Sequence, residues 1–271
     1  MAEETTITQE NESRTSVMEH LKELRKRLMY SCLGILVGLV AGLILCEIVT
    51  LDLLMAPGVK VGIEFIAIDP TETMSVFFRV GLVSGIIFAM PLLVYQLFAF
   101  IGPALTSREK RFIYSILPAI TLMFLLGVAF AYFIALPPML EVLHNFLISK
   151  VNPQFRISSY INIVTRVLLV VGLIFETPLI IMGLARLGLV TPQWLAARRK
   201  WWILLAFILS AVISPTMDVI TQTIFAVPMI LLLELGIILA RLVQKKADKP
   251  KKTAKPKKKK KRKQDSFSGD W

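Results

Sequence analysis

Glu176 is the residue of this sequence that most demands a chemical explanation. It lies inside Ile161 to Leu184, INIVTRVLLVVGLIFETPLIIMGL, a stretch long and apolar enough to span a bilayer, with Pro178 two positions on. A charged side chain at the centre of a membrane helix costs roughly 2.5–3.5 kcal/mol on insertion scales, so such residues face a cavity, a partner helix or a substrate path. Pro178 removes one helix hydrogen bond and kinks the helix near the preceding turn. An acid beside a bend predicts a concave surface that receives something. The alternative is a protonated carboxyl hydrogen-bonded between neighbouring helices as packing glue.

Two further acids stand out by their surroundings. Glu23 lies in His20-Leu21-Lys22-Glu23-Leu24-Arg25-Lys26-Arg27-Leu28, and Glu109 lies in Arg108-Glu109-Lys110-Arg111. Basic residues that only orient a membrane protein need no acid among them. A carboxylate placed there can accept a bidentate pair of hydrogen bonds from a guanidinium. The competing reading is local helix pairing, because Glu23 and Arg27 are i,i+4 neighbours worth a few tenths of a kcal/mol.

No catalytic constellation is present in the sequence. There is no nucleophile elbow, no HExxH, no cysteine pair at metal spacing and no phosphate-cradling glycine loop, so an enzyme is not expected and no metal or cofactor is implied. Cys32 and Cys46, fourteen residues apart in one apolar stretch, would be roughly 21 Å apart along a helix, too far for a disulfide. The net charge of +12 is concentrated in the tail, where thirteen Lys or Arg fall between Lys245 and Lys263 against one Asp. Such a run beside a membrane span rests on anionic lipid or stays solvated, and nucleic-acid binding is not expected.

The elements that must position these acids follow from hydropathy. With 55% hydrophobic residues, mean hydropathy +0.68 and several continuous apolar runs, the chain is expected to be an all-α polytopic membrane protein. Six spans are predicted, at about 28–48, 76–98, 112–136, 161–184, 201–213 and 219–241. The last two are short, which implies local bilayer thinning or burial among other helices. Residues 1–17 read as a disordered lead, 18–242 as the membrane domain, and 243–271 as a lysine-rich disordered tail. Val17, Leu21, Leu24 and Leu28 recur at helical spacing, predicting an amphipathic surface helix before the first span. Pro137-Pro138 is expected to close the third span. Lys and Arg collect at the N-terminal segment and the second and fourth loops, so the positive-inside rule places both termini in the cytoplasm.

Several ordered motifs resemble the TatC family, the multispanning subunit of the twin-arginine protein translocase. They are the His20–Leu28 run, Tyr95-Gln96-Leu97-Phe98-Ala99-Phe100-Ile101-Gly102-Pro103-Ala104-Leu105 with Glu109-Lys110-Arg111, Gly127-Val128-Ala129-Phe130-Ala131-Tyr132-Phe133, Phe175-Glu176-Thr177-Pro178 and Ser214-Pro215-Thr216-Met217-Asp218. The likeness covers roughly residues 18–242. It implies a receptor in the cytoplasmic (inner) membrane that binds twin-arginine signal peptides of folded precursor proteins and nucleates their export with the proton-motive force. It implies a signal-binding role for Glu23, Arg25, Phe100 and Glu109, a partner-subunit site at Glu176, and outer-face functional positions at Pro57 and Asp218. The implied partners are single-span subunits of the TatA/TatB type in a hetero-oligomer of several copies, together with membrane lipids. Pro70-Thr71-Glu72 also looks similar to the family. The rival is a small-solute or ion transporter using Glu176 as a cation or proton site, although no repeat between the two halves supports it.

Overall fold

The computed structural model describes residues 2–45, 50–101, 106–145, 154–214 and 218–247. Ten α-helices run through them: α1 (Ala2–Leu45), α2 (Leu51–Val61), α3 (Pro70–Ile101), α4 (Ser107–Phe130), α5 (Leu136–Asn145), α6 (Ile157–Phe175), α7 (Thr177–Arg186), α8 (Pro192–Ala197), α9 (Arg199–Ile213) and α10 (Val219–Ala247). Two short strands, β1 (Phe65–Ile66) and β2 (Phe155–Arg156), pair in parallel and tie the loop after α2 to the loop before α6.

Among the described residues, five stretches are long and apolar enough to cross a bilayer: Leu21–Leu45, Pro70–Phe100, Lys110–Asn145, Ile157–Arg186 and Val219–Gln244. The sixth expected span is α9, whose 15 residues reach roughly 22 Å against a hydrocarbon core of about 30 Å. It is held to α10 by side chains rather than by length. Ser210 donates its hydroxyl to the Gln222 carbonyl, the Gln222 amide donates to the Phe207 carbonyl at 3.0 Å, and the Ser214 and Thr221 hydroxyls lie 2.9 Å apart.

Two expectations are corrected. Residues 2–17, read as a disordered lead, are helical, because α1 begins at Ala2; extending an existing helix needs no new nucleus. The amphipathic segment runs without a break into the first span as one continuous element. The third span does not stop at Pro137-Pro138. A π-helical turn at Ala131–Ala135 leads directly into α5, and this change of register places both prolines in the first turn of α5, where a missing N–H costs no helical bond. The tail beyond Ala247 lies outside the described residues, as do 46–49, 102–105, 146–153 and 215–217.

The α1–α3 seam follows from glycine spacing. Gly34, Gly38 and Gly42 repeat every fourth residue on α1, facing Gly81 and Gly85 on α3; a Cβ on Gly38 would meet the Gly85 carbonyl carbon at 3.1 Å, and one on Gly85 would meet the Gly38 carbonyl carbon at 2.6 Å. Small residues at this period let two membrane helices approach backbone to backbone. The largest core cluster lies at the end of the bundle where α2, α5 and the start of α6 meet, and includes Leu54, Val76, Leu136, Met139, Tyr160 and Val164.

Pro57, named from family resemblance without a chemical role, has one here. It sits inside α2 and deprives the Leu53 carbonyl of its helical donor. Tyr132, in the π-helical turn, donates its hydroxyl to that carbonyl at 2.7 Å. One residue on, the Tyr160 hydroxyl accepts from the Gly58 N–H at 3.1 Å and donates to the Leu54 carbonyl at 2.9 Å, bridging a pair that an unbroken helix closes directly. Two tyrosines from distant segments thus mend one proline break. Tyr160→Phe is expected to destabilise the protein by about 1–3 kcal/mol, because buried polar groups lose their partner. In a double-mutant cycle followed by thermal unfolding in detergent, Pro57→Ala should absorb part of that cost by restoring an N–H in the same turn; strictly additive effects would separate Tyr160 from the proline break.

Glu72 performs a similar tying role on the same side. Only 3% exposed, it accepts from the Ile68 N–H at 3.1 Å, the Arg156 Nε at 2.9 Å and the Ser158 N–H at 3.0 Å. One carboxylate thereby closes its own loop, pairs with β2 and caps α6. Neighbouring Asp69 accepts from the Thr71 N–H and hydroxyl, which hold its carboxyl below the usual range.

Candidate functional site

Glu23 lies on α1, 30% exposed, and its Oε1 is 3.3 Å from the Arg27 guanidinium. The same guanidinium reaches the Gln96 carbonyl oxygen on α3 at 3.4 Å. Both contacts are long, and the buried Arg27 Nε has no hydrogen-bond partner among the described residues. Glu23 is thus paired, but loosely, by a residue of its own helix.

Gln96 is 7% exposed and forms one wall of a cavity of about 460 Å³ between α1 and α3. The other walls are Tyr30, Leu33, Gly34, Val37, Gly38, Ala41, Phe88, Ala89 and Leu92. The groove exists because glycine and alanine line its floor while Leu33, Val37 and Phe88 stand up at its margins, exposed. A polar mouth made by Glu23, Arg27 and Gln96 therefore opens into an apolar trough along two membrane helices.

Glu109 is the third residue of α4, whose first turn follows α3 and so lies at the end of the bundle that holds Gln96. Its side chain lies outside the described residues. Phe100 is half-buried in the last turn of α3, four residues past Gln96. Arg25 is exposed; two residues from Glu23 it points about 200° away round the helix and does not share the Glu23 contact. Sequence reasoning anticipated the Glu23–Arg27 pair but missed Gln96 and its contact with Arg27. The signal for Gln96 was present, a lone amide inside an apolar span, and needed the α1–α3 seam to give it a partner.

Glu176 is the residue at which the fourth span breaks. α6 ends at Phe175 and α7 begins at Thr177, with the Glu176 N–H donating to the Leu173 carbonyl at 3.1 Å and the Glu176 carbonyl accepting from the Leu179 and Ile180 N–H groups. Pro178, in the first turn of α7, forces this joint because it cannot donate to Ile174. The side chain is 7% exposed, and its Oε1 has no hydrogen-bond partner among the described residues. The neighbouring cavity, lined by Phe130, Val171, Phe175, Phe225 and Met229 among others, is apolar and does not include Glu176.

Pro57 and Asp218 lie at the opposite end from Glu23. Asp218 caps α10: its carboxylate accepts from the Thr221 N–H at 2.8 Å and the Thr221 hydroxyl at 2.6 Å. That is a helix-start role, typical of Asp at this position. Among the described residues, no group of His, Cys, Asp and Glu is arranged to hold a metal ion.

The comparisons agree with one another. The model of the Sec-independent protein translocase protein (TatC) family matches residues 19–228. The chain is 37% identical over 232 residues to the Sec-independent protein translocase protein TatC of Aquifex aeolicus, covering 84% of this chain and 95% of that one. It is 31% identical over 246 residues to TatCy of Bacillus subtilis, covering 90% and 95%. Among solved structures, a crystal structure of the twin-arginine translocase receptor TatC superposes with a TM-score of 0.73 at 37% identity, over 83% of this chain and 99% of that one. On the match of most of its length to that family model, and on relatives of this identity, the chain belongs to the TatC family of Sec-independent protein translocase proteins.

Proposed function

We propose that this protein is the receptor subunit of a twin-arginine translocase: it binds paired-arginine signal peptides at a cytoplasmic face and nucleates assembly for export of folded proteins across the inner membrane. In this reading the chain crosses the membrane six times with both termini inside. Single-span partner subunits of the TatA/TatB type gather at Glu176, several copies form a hetero-oligomer, and the proton-motive force drives export.

The observation that carries the reading is the contiguity of the Glu23–Arg27–Gln96 mouth with the apolar groove. A signal with two arginines followed by an apolar stretch presents those two chemistries in the same order. The first guanidinium exchanges with Arg27 for Glu23, trading two long hydrogen bonds for a bidentate pair that a carboxylate and a guanidinium form well. The second is taken by Glu109, the acid at the same end of the bundle. The apolar stretch then lies in the trough between Leu33, Val37 and Phe88, where burial gains about 25 cal/mol per Å².

The test is binding of a paired-arginine signal peptide to the purified protein beside the same peptide with both arginines changed to lysine. Lysine brings the charge without the planar fork, so the lysine peptide should bind at least tenfold more weakly, a difference of about 1.4 kcal/mol. Equal affinity would leave the carboxylates as local helix partners and sink the receptor reading.

A further inference from the structure

We infer that Arg79 and the start of α6 form a binding site for the phosphodiester headgroup of a membrane phospholipid. Arg79 lies on α3 seven residues past Glu72, about 10 Å along the helix axis. α3 has 32 residues, roughly 48 Å against a hydrocarbon core of about 30 Å, so its first turns stand in the headgroup region and Arg79 falls just inside the apolar boundary. A cation at that depth needs an anion or water within reach of its side chain.

Among the described residues no carboxylate pairs with Arg79, and the nearest buried acid, Glu72, has its carboxylate committed to Arg156, Ile68 and Ser158. Instead Arg79 is a wall of a cavity of about 280 Å³ whose other walls are Ser75, Val76, Ser158, Ser159 and Asn162. One guanidinium, three hydroxyls and a carboxamide thus line one hollow between α3 and the start of α6. None of these walls carries negative charge; the Ser75 hydroxyl is turned to the Thr71 carbonyl at 3.1 Å and the Ser158 hydroxyl to Glu72, so the donors facing an anion here are those of Arg79, Ser159 and Asn162. A phosphate ester has acceptor oxygens only and a single negative charge, so it matches this donor set. Glu72 neutralises Arg156 instead of Arg79, which leaves the cavity with a net positive charge.

Arg166 supplies the internal control. It is a second exposed arginine on α6, eight residues past Ser158 and so about 12 Å along its helix, yet it is not a wall of the cavity. General snorkelling of arginine toward lipid predicts equal behaviour for Arg79 and Arg166; a built site predicts a difference.

The experiment is native mass spectrometry of the purified full chain titrated with phosphatidylglycerol, with diacylglycerol of the same acyl chains, and with phosphatidylglycerol in a large excess of inorganic phosphate. Wild-type protein should retain one phosphatidylglycerol at least tenfold more tightly than diacylglycerol. Arg79→Gln should lose that preference, Arg79→Lys should keep part of it, and Arg166→Gln should leave it unchanged. Matching thermal unfolding of all variants in detergent checks that each is folded. Equal retention by wild type and Arg79→Gln, or an equal loss in Arg166→Gln, overturns the site. Displacement of the lipid by inorganic phosphate would make a free anion the ligand and overturn the assignment to lipid.

Discussion

Replacing Glu23 and Glu109 together with Ala is expected to weaken binding of a paired-arginine signal peptide by more than a hundredfold, while an unrelated membrane-spanning peptide crosslinks as before. Each hydrogen bond to a charged group contributes about 1.5–3 kcal/mol, so two lost carboxylates remove several kcal/mol from the complex. The single Glu23→Ala variant carries a specific signature. Glu23 is 30% exposed and only loosely paired with Arg27, so its removal frees Arg27 toward Gln96 and water rather than stranding a buried charge, and folding stability should change by less than about 1 kcal/mol. A large loss of binding with little loss of stability therefore separates a recognition carboxylate from a structural one. Photocrosslinking from the peptide's arginine flank to α1 reads the difference directly, and undiminished crosslinking in the double variant would refute the assignment.

The same two glutamates show what the sequence could and could not reveal. Their placement among basic residues was visible as an anomaly, but spacing alone also allowed Glu23 to be a helix-pairing residue, and the structure contains that Arg27 pair. What spacing could not supply was Gln96, 69 positions beyond Arg27, or the groove floor created when glycines on α1 and α3 face one another. Long apolar runs located five helices of membrane-crossing length among the described residues, because a bilayer-spanning segment has to satisfy its own backbone, while the sixth expected span is the 15-residue α9. Prolines were read less reliably. Pro178 breaks its span as expected, whereas Pro137 and Pro138 do not, since the π-helical turn before them alters the hydrogen-bond register. Pro57, for which the sequence offered no chemical role, lies inside a helix whose missing bond is supplied by Tyr132 and Tyr160. A proline's effect depends on donors that arrive from elsewhere in the chain, and local sequence carries no record of them.

That dependence is the reason Glu176 invites the second large prediction. The joint made by Pro178 is satisfied along the backbone, since the Glu176 N–H and carbonyl both have partners. The side chain is not: it is buried with an oxygen that no group among the described residues completes. Burying a polar atom without a partner costs about 1–3 kcal/mol, a cost that a group from another subunit can remove on assembly. On the proposed reading, Glu176→Ala leaves signal-peptide binding within about twofold of wild type, because Glu176 lies within the fourth span and shares no hydrogen bond with Glu23, Arg27 or Gln96 among the described residues. It should lower copurification of the single-span partners by at least tenfold and stop export with them. Glu176→Gln keeps one hydrogen-bonding oxygen and the same shape, and should retain a measurable fraction of both. If the alanine variant exported precursor at the wild-type rate, Glu176 would be packing glue after all. If it lost signal binding and partners alike while remaining folded, the mouth and the joint would be coupled, and the division of labour between them would have to be abandoned.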